Sequence, residues 1–292
     1  MSRVLLLNPP VELRYGVLAI VCASILGAAS AAAAFTKDVP ARILYIGDSL
    51  AANTAAEVVA STQEATGRAV TSYSAFPGMA ICDFLESPNA EMGRPERLRA
   101  QVRATQPHLV ILQFWGNAFT KCMIEQPSNT IEYYRSYFDD AERAVRAIEE
   151  TALAINVPRP RILWVLQGPE PGVPGRTPLL NNIYRWVAAV HGDRTTDAGL
   201  TLSAAVDPTV TDTGARDRWV QTLPCNEDER GTPYCTHPNI AGGVAQLHRD
   251  DDPIHFCLGN HDFFFDCDAP SPAIRRYGRR IARDANAWLG IN

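Results

Sequence analysis

The chain has no His-Glu-x-x-His segment, and none of its seven cysteines falls at the short spacing of a zinc knuckle. Metal-centred hydrolysis and a structural zinc site are therefore disfavoured. An excess of basic charge is also missing. Lysine and arginine number 27 against 32 acidic residues, with a formal net charge of -5 and a sequence pI near 5.7. No global field draws the chain to nucleic acid. There is no internal repeat, which excludes a solenoid, and no low-complexity tract beyond an alanine-rich stretch near the N-terminus. What is present, 46% hydrophobic and 20% charged residues over 292 positions, belongs to a folded globular protein. That length suits one large domain or two small ones.

The first residues stand apart from the globule. Arg3 and Arg14 precede Gly16–Phe35, an uncharged apolar segment of about membrane-spanning length. Its second half dissolves into small residues, and both Ala29-Ser30-Ala31 and Ala32-Ala33-Ala34 suit a signal peptidase. Residues 1–34 are expected to be an export signal cut near Ala31 to Ala34, with an uncleaved signal-anchor as the competitor. Contact with a membrane is expected only through this segment, if it stays attached. Cys22 lacks the preceding small residue of a lipoprotein signal. The other six cysteines, an even count behind an export signal, argue for disulfides. Spacing does not choose among their pairings; the expectation adopted is Cys82–Cys122, Cys225–Cys235 and Cys257–Cys267.

From Thr36–Pro40, a linker, the pattern alternates. Ile43–Ile46, Ala69–Ser74, Leu109–Trp115 and Ile162–Leu166 read as strands, with Leu200–Val206 as a fifth. Leu50–Ala60, Arg94–Thr105, Asn129–Asn156 (opened by Ser128 or Asn129), Leu179–Val190 and Pro272–Leu289 read as helices, and Gln167–Pro178 as a Pro/Gly-rich loop. Alternating β and α elements imply an α/β domain over residues 35–292, with a parallel sheet covered by helices on both sides. Residues 207–268, where periodicity fades and four cysteines gather, read as a disulfide-stapled excursion of that domain. The arginines of the last helix (Arg275, Arg276, Arg279, Arg280, Arg283) suit a solvated amphipathic face better than a polyanion site.

Ala41–Ala60 is the stretch on which the reading turns. Gly47-Asp48 ends an apolar strand and Leu50 begins a helix, so Ser49 sits in the bend. Its hydroxyl is then held at the sheet edge and its N–H at a helix N-terminus, where negative charge is favoured. A plain N-cap role explains the same serine. Gly78 and Asn117 also follow predicted strands and land on that edge. Far downstream, Asp252-Pro253-Ile254-His255 places a carboxylate three residues before a histidine. The Asp can accept Nδ1–H and leave Nε2 as a general base, giving with Ser49 a Ser–His–Asp arrangement. His237 and His261 suit loop roles better, and His108, His191 and His248 have no carboxylate at short spacing. Asp251 is the fallback orienter, and Asp48 reads as a turn-stabilising carboxylate.

This set resembles the SGNH (GDSL) hydrolase family, named for a serine in a GDS turn, a glycine, an asparagine and a histidine. Ser49 in Gly47-Asp48-Ser49-Leu50, Gly78, Asn117 and His255 match in family order over most of the exported chain. One departure concerns the third block, where the family usually has glycine two positions before the asparagine. Here Trp115 holds that place and Gly116 is adjacent. Trp115 reads either as a core aromatic at a strand end or as the wall of an acyl or sugar pocket.

The resemblance implies a three-layer α/β/α domain with a flavodoxin-like parallel sheet. It implies a cofactor-independent serine hydrolase of the carboxylesterase, lipase or acetylesterase type, with Ser49, Asp252 and His255 as the triad. The oxyanion hole would be the N–H groups of Ser49 and Gly78 and the amide of Asn117. The expected protein is a secreted or envelope esterase for a small-molecule, lipid or glycan ester. An O-acyltransferase on a cell-envelope glycan could use the same residues. A non-catalytic envelope-binding protein is the alternative of another class, and a dead site would have no need of Ser49, Asn117, Asp252 and His255 together.

Overall fold

Five short strands carry the fold, and the central three of them, between the two edge strands, are buried on both faces. β1 (Ala41–Gly47), β2 (Ala69–Ala75), β3 (Leu109–Gln113), β4 (Arg161–Val165) and β5 (Arg194–Thr196) form one sheet in the order β2-β1-β3-β4-β5. Every pairing in it is parallel. The structure, a computed structural model, describes residues 35–291 apart from 37, 65–66, 86–96, 124–126, 174 and 260–266. The expected export segment, His261 and the first residues of the helix expected at Arg94–Thr105 lie outside the described residues.

The strand period of two sorts the apolar side chains into two cores. Leu44, Ile46, Val110, Leu112, Ile162 and Trp164 face one side. There they meet α2 (Ile81–Leu85), α3 (Arg97–Thr105), α4 (Ile131–Ala154) and α5 (Arg176–His191). Ile43, Tyr45, Leu109, Ile111, Leu163 and Val165 face the other, under α1 (Ser49–Glu64) and α6 (Pro272–Leu289). The result is a three-layer α/β/α unit with the flavodoxin-like strand order. Burying each large side chain contributes about 1.5–3 kcal/mol, so these two layers hold the sheet edge rigid under the loops.

Helix ends follow local chemistry. Thr130, not Ser128 or Asn129, caps α4 by accepting from Tyr133 N–H at 3.2 Å. Asn129 has turned into the left-handed region, with φ 69°. Ser271 caps α6, accepting from Ala273 N–H at 3.0 Å, with Pro272 in the first turn. α5 begins at Arg176, inside the expected loop, whose proline at 178 is tolerated in a first turn.

The fifth strand is a correction. Leu200–Val206 forms two short 3-10 turns, Ala198–Leu202 and Ala204–Val206, and the strand beside β4 is Arg194–Thr196. The buried residues Ala198 and Leu202 lie four apart, a helical spacing that a run this short does not distinguish from alternation.

The segment 207–268 is stapled as a local excursion. Cys225 is bonded to Cys235 and Cys257 to Cys267, while Cys82 is bonded to Cys122 across 40 residues. Two short antiparallel strands, β6 (Thr222–Pro224) and β7 (Val244–Gln246), brace it. Leu223, Leu247 and Phe256 join the core beneath α1 and α6. Three disulfides fit an oxidising, extracytoplasmic setting. No described helix is long and apolar enough to cross a membrane.

Candidate active site

The parallel sheet sends β1, β2 and β3 to the same edge, so the residues just beyond their ends must converge. β1 delivers Ser49, β2 delivers Gly78 and β3 delivers Asn117. Because β1 lies between β2 and β3, Ser49 stands where the strand order reverses, the usual place for a ligand on an open α/β sheet. Gly47 allows the sharp exit from β1. A Cβ there would sit 2.2 Å from the Gln113 carbonyl oxygen and 2.5 Å from Ala51 Cβ.

Ser49 is not the capping side chain of α1. Asp48 takes that role, its Oδ1 accepting from Leu50 N–H at 3.0 Å. This frees the Ser49 hydroxyl, which lies 3.0 Å from His255 Nε2. His255 Nδ1 in turn lies 3.0 and 2.9 Å from the two Asp252 oxygens. A carboxylate only accepts, so Nδ1 carries the proton and Nε2 is the bare nitrogen facing the hydroxyl. The two partners are a fifth or less exposed, with side-chain accessibilities of 20% and 18%.

Burial alone would raise the Asp252 carboxyl. The hydrogen bond from the His255 ring, the charge of that ring and the backbone N–H groups of His255 and Ile254 more than offset it, and hold the group below the ordinary carboxylate range. Asp251, the fallback orienter, instead pairs with Arg249 at 2.7 Å and is largely exposed.

The turn bearing this pair is gripped from behind. Trp219 Nε1–H donates to the Pro253 carbonyl at 3.1 Å, and His248 Nδ1 lies 3.3 Å from the His255 carbonyl. Burial pushes the His248 ring down to about 4, so it stays neutral and donates from Nδ1. The remaining described histidines are engaged elsewhere or exposed. His108 Nδ1 accepts from Arg42 N–H, His191 faces Glu142, and His237 lies on the surface.

Asp48 is fully buried and links two loops. Its Oδ2 accepts from Trp115 N–H at 2.6 Å and from Asn117 Nδ2 at a longer 3.5 Å. Burial pushes this carboxyl up to about 6, against the lowering effect of the Trp115 and Leu50 N–H groups and the His255 ring. Asn117 Nδ2 also donates to the Met79 carbonyl at 2.9 Å, tying the β3 loop to the β2 loop. The N–H groups of Ser49 and Gly78 meet no acceptor among the described residues.

The Trp115-Gly116-Asn117 loop is irregular yet buried, so its carbonyls need partners. Three tyrosine hydroxyls supply them: Tyr184 donates to Phe114 O at 2.8 Å, Tyr133 to Gly116 O and Tyr137 to Asn117 O, both at 2.7 Å. Gly116 is required here. Its φ is 106°, and a Cβ would lie 2.6 Å from the Tyr133 hydroxyl. Sequence reasoning missed these tyrosines. Their spacing on the helices reads as core packing, and only the fold shows that their tips reach this loop.

Trp115 is half-buried, with the Arg176 guanidinium 3.9 Å from its ring centre. Arg176 itself is in a buried, bidentate pair with Glu170. Leu50, Trp115, Glu170 and Ile254 wall a small cavity of about 20 Å³. A larger groove of about 840 Å³ runs along the α6 arginines and contains none of the site residues. Arg276, Arg279 and Arg280 there pair with Glu229, with Glu57 and Asp228, and with Asp284.

No protein-family model matches the chain, and no curated protein matches it. Among solved structures it is similar to a carbohydrate acetylesterase from Sinorhizobium meliloti, at 14% identity over 85% of this chain and 99% of that one, with a TM-score of 0.48. An aryl esterase from M. smegmatis gives the same identity, coverages and TM-score. A lipolytic-type protein of the G-D-S-L family from Desulfitobacterium hafniense is 14% identical over 83% of this chain and 98% of its own, with a TM-score of 0.43.

Proposed function

We propose that the chain is an exported serine esterase of the SGNH type, cleaving an O-acyl ester through an acyl-enzyme on Ser49. The observation that carries this reading is the unbroken line from Ser49 Oγ to His255 Nε2 at 3.0 Å and from His255 Nδ1 to Asp252 at 2.9 Å. In attack, Oγ bonds to the ester carbonyl carbon as its proton passes to Nε2. The imidazolium formed is stabilised by Asp252, which is already ionised because its pKa is lowered. The same proton then goes to the leaving alkoxide. Water, deprotonated by His255, releases the acid and restores Ser49.

The negative oxygen of each tetrahedral intermediate would be met by Ser49 N–H and Gly78 N–H, which have no protein acceptor among the described residues. Asn117 would add one N–H, the one that otherwise makes only the long 3.5 Å contact with Asp48. Such donors act because they are aimed before the charge appears. The cavity beside Leu50, Trp115 and Ile254 adjoins three of the four segments that carry the site, those of Ser49, Asn117 and His255, and its size suits a short acyl group. The larger alcohol would remain on the open side.

The test is labelling with a fluorophosphonate probe. Ser49 is expected to carry the adduct, and Ser49→Ala to carry none while folding normally. Folded wild-type protein that resists the probe and leaves p-nitrophenyl acetate intact would overturn the proposal.

A further inference from the structure

The irregular loop after β3 does not hold its own shape. Phe114, Gly116 and Asn117 are buried, outside any strand or helix, and their carbonyls point away from the sheet ladder. Each is met by a tyrosine hydroxyl from the helical layer behind: Tyr184 of α5 and Tyr133 and Tyr137 of α4. The three rings are themselves at most 1% exposed, locked among the apolar side chains of α4 and α5. Burial raises all three hydroxyls, so they remain donors across any working pH.

We infer that Tyr133, Tyr137 and Tyr184 are positioning residues for the oxyanion donor, fixing the backbone on which the Asn117 amide is aimed. This rests on the serine-esterase reading above and extends it from the residues that meet the substrate to the layer that sets their geometry. On the front of the loop Asp48 holds Trp115 N–H, and Met79 O holds the Asn117 side chain. The tyrosines hold the back. Tyr137 is the most direct of the three, since it grips the carbonyl of Asn117 itself. With its hydroxyl gone, that carbonyl must turn to seek another donor, and the peptide plane that sets the side chain's origin turns with it. A donor displaced by a few tenths of an ångström still binds substrate but meets the tetrahedral oxygen poorly.

The experiment compares Tyr133→Phe, Tyr137→Phe and Tyr184→Phe with a control, Asp193→Asn. Asp193 pairs with Arg159 and accepts from Ile162 N–H at the opposite, N-terminal end of β4, far from the site. All four lose buried hydrogen bonds, so thermal stability falls in each. The tyrosine variants are expected to lose kcat about tenfold or more, part of the 10²–10³ that loss of a whole donor costs. KM should stay within about twofold, and fluorophosphonate inactivation should slow by the same factor as kcat. Asp193→Asn should keep both rates. If all three tyrosine variants, assayed well below their melting temperatures, keep wild-type kcat and inactivation rate, the inference is overturned. Should Tyr137→Phe fail to fold, Tyr184→Phe, acting three residues upstream, decides the matter in the same way. Wild-type protein inert to the probe would instead refute the esterase reading, a distinguishable result.

Discussion

Asp48→Asn tests the electrostatics of the serine turn most sharply, because the carboxylate it removes is both buried and shared between two loops. An asparagine offers one acceptor oxygen where Asp48 offers two. Either Leu50 N–H or Trp115 N–H would then face an NH₂ group, costing about 1–3 kcal/mol for the unsatisfied donor. A second effect depends on pH. Burial raises the native Asp48 carboxyl from the ordinary 3.8 to about 6, so between those values the native state binds a proton that the unfolded chain releases. A raised carboxyl contributes stability below the unfolded pKa and loses it as pH rises through the folded one. At ~1.4 kcal/mol per pH unit, the wild type should lose about 2–3 kcal/mol of this contribution between pH 4 and pH 7.5. Asp48→Asn has no such proton to lose. Guanidinium denaturation of both proteins at the two pH values, taken as a difference, cancels all other titrations. The stability gap should be widest at pH 4 and narrow by about 2–3 kcal/mol at pH 7.5. A gap that is flat or widens with pH would refute the assignment of a raised pKa to this carboxylate.

Asp252→Asn should cut kcat by about 10²–10⁴, because an amide NH₂ can donate to Nδ1 and favour the wrong His255 tautomer where the carboxylate only accepts, with melting temperature and steady-state rates measured together. Since its native pKa is lowered, Asp252 stabilises the fold above its unfolded pKa and loses that contribution as pH falls. Asp251 is largely exposed and pairs with Arg249, so the acid limb of kcat/KM, followed from pH 4 to 8, should not shift when Asp251 is replaced by Asn. Removing the Cys82–Cys122 bond by double alanine substitution frees a loop of 40 residues and should cost about 4 kcal/mol, against about 3 kcal/mol for Cys225–Cys235; equilibrium denaturation checks the order. On a p-nitrophenyl ester series, wild-type protein should prefer acetate, and Trp115→Ala should extend the range towards butyrate and hexanoate, because Trp115 walls the cavity of about 20 Å³. A wild type that favours octanoate would rule out that cavity as the acyl site.

Much of this was legible because the chemistry is local or periodic. Ser49 lies between an apolar strand and an alanine-rich helix, and Asp252 lies one turn from His255. Both patterns are short enough to read directly. Continuous apolar runs at β1, β3 and β4 mark strands buried on both faces, and parallel pairing then forces Ser49, Gly78 and Asn117 to a common edge. β5 was not legible, since three residues against one edge of the sheet leave no period to detect. The end of β3 was read two residues long for a related reason. Phe114 and Trp115 are as apolar as the strand before them, but the chain leaves the ladder at Gln113.

The loop that follows shows why residue spacing alone could not place the asparagine. With Trp115 where a glycine is usual, the bend moves to Gly116, the only residue type that tolerates φ 106° with a tyrosine hydroxyl 2.6 Å from the place of its Cβ. A bend shifted by one residue would swing the Asn117 side chain away if the backbone were free to relax. It is not free, because Tyr133, Tyr137 and Tyr184 hold three of its carbonyls and Asp48 holds the Trp115 N–H between them. The bulky residue and the displaced glycine thus belong with the tyrosine layer, and a change in one without the others should misplace the amide. Residues more than a dozen positions apart in the chain determine that geometry, which is why it emerges only from the folded arrangement.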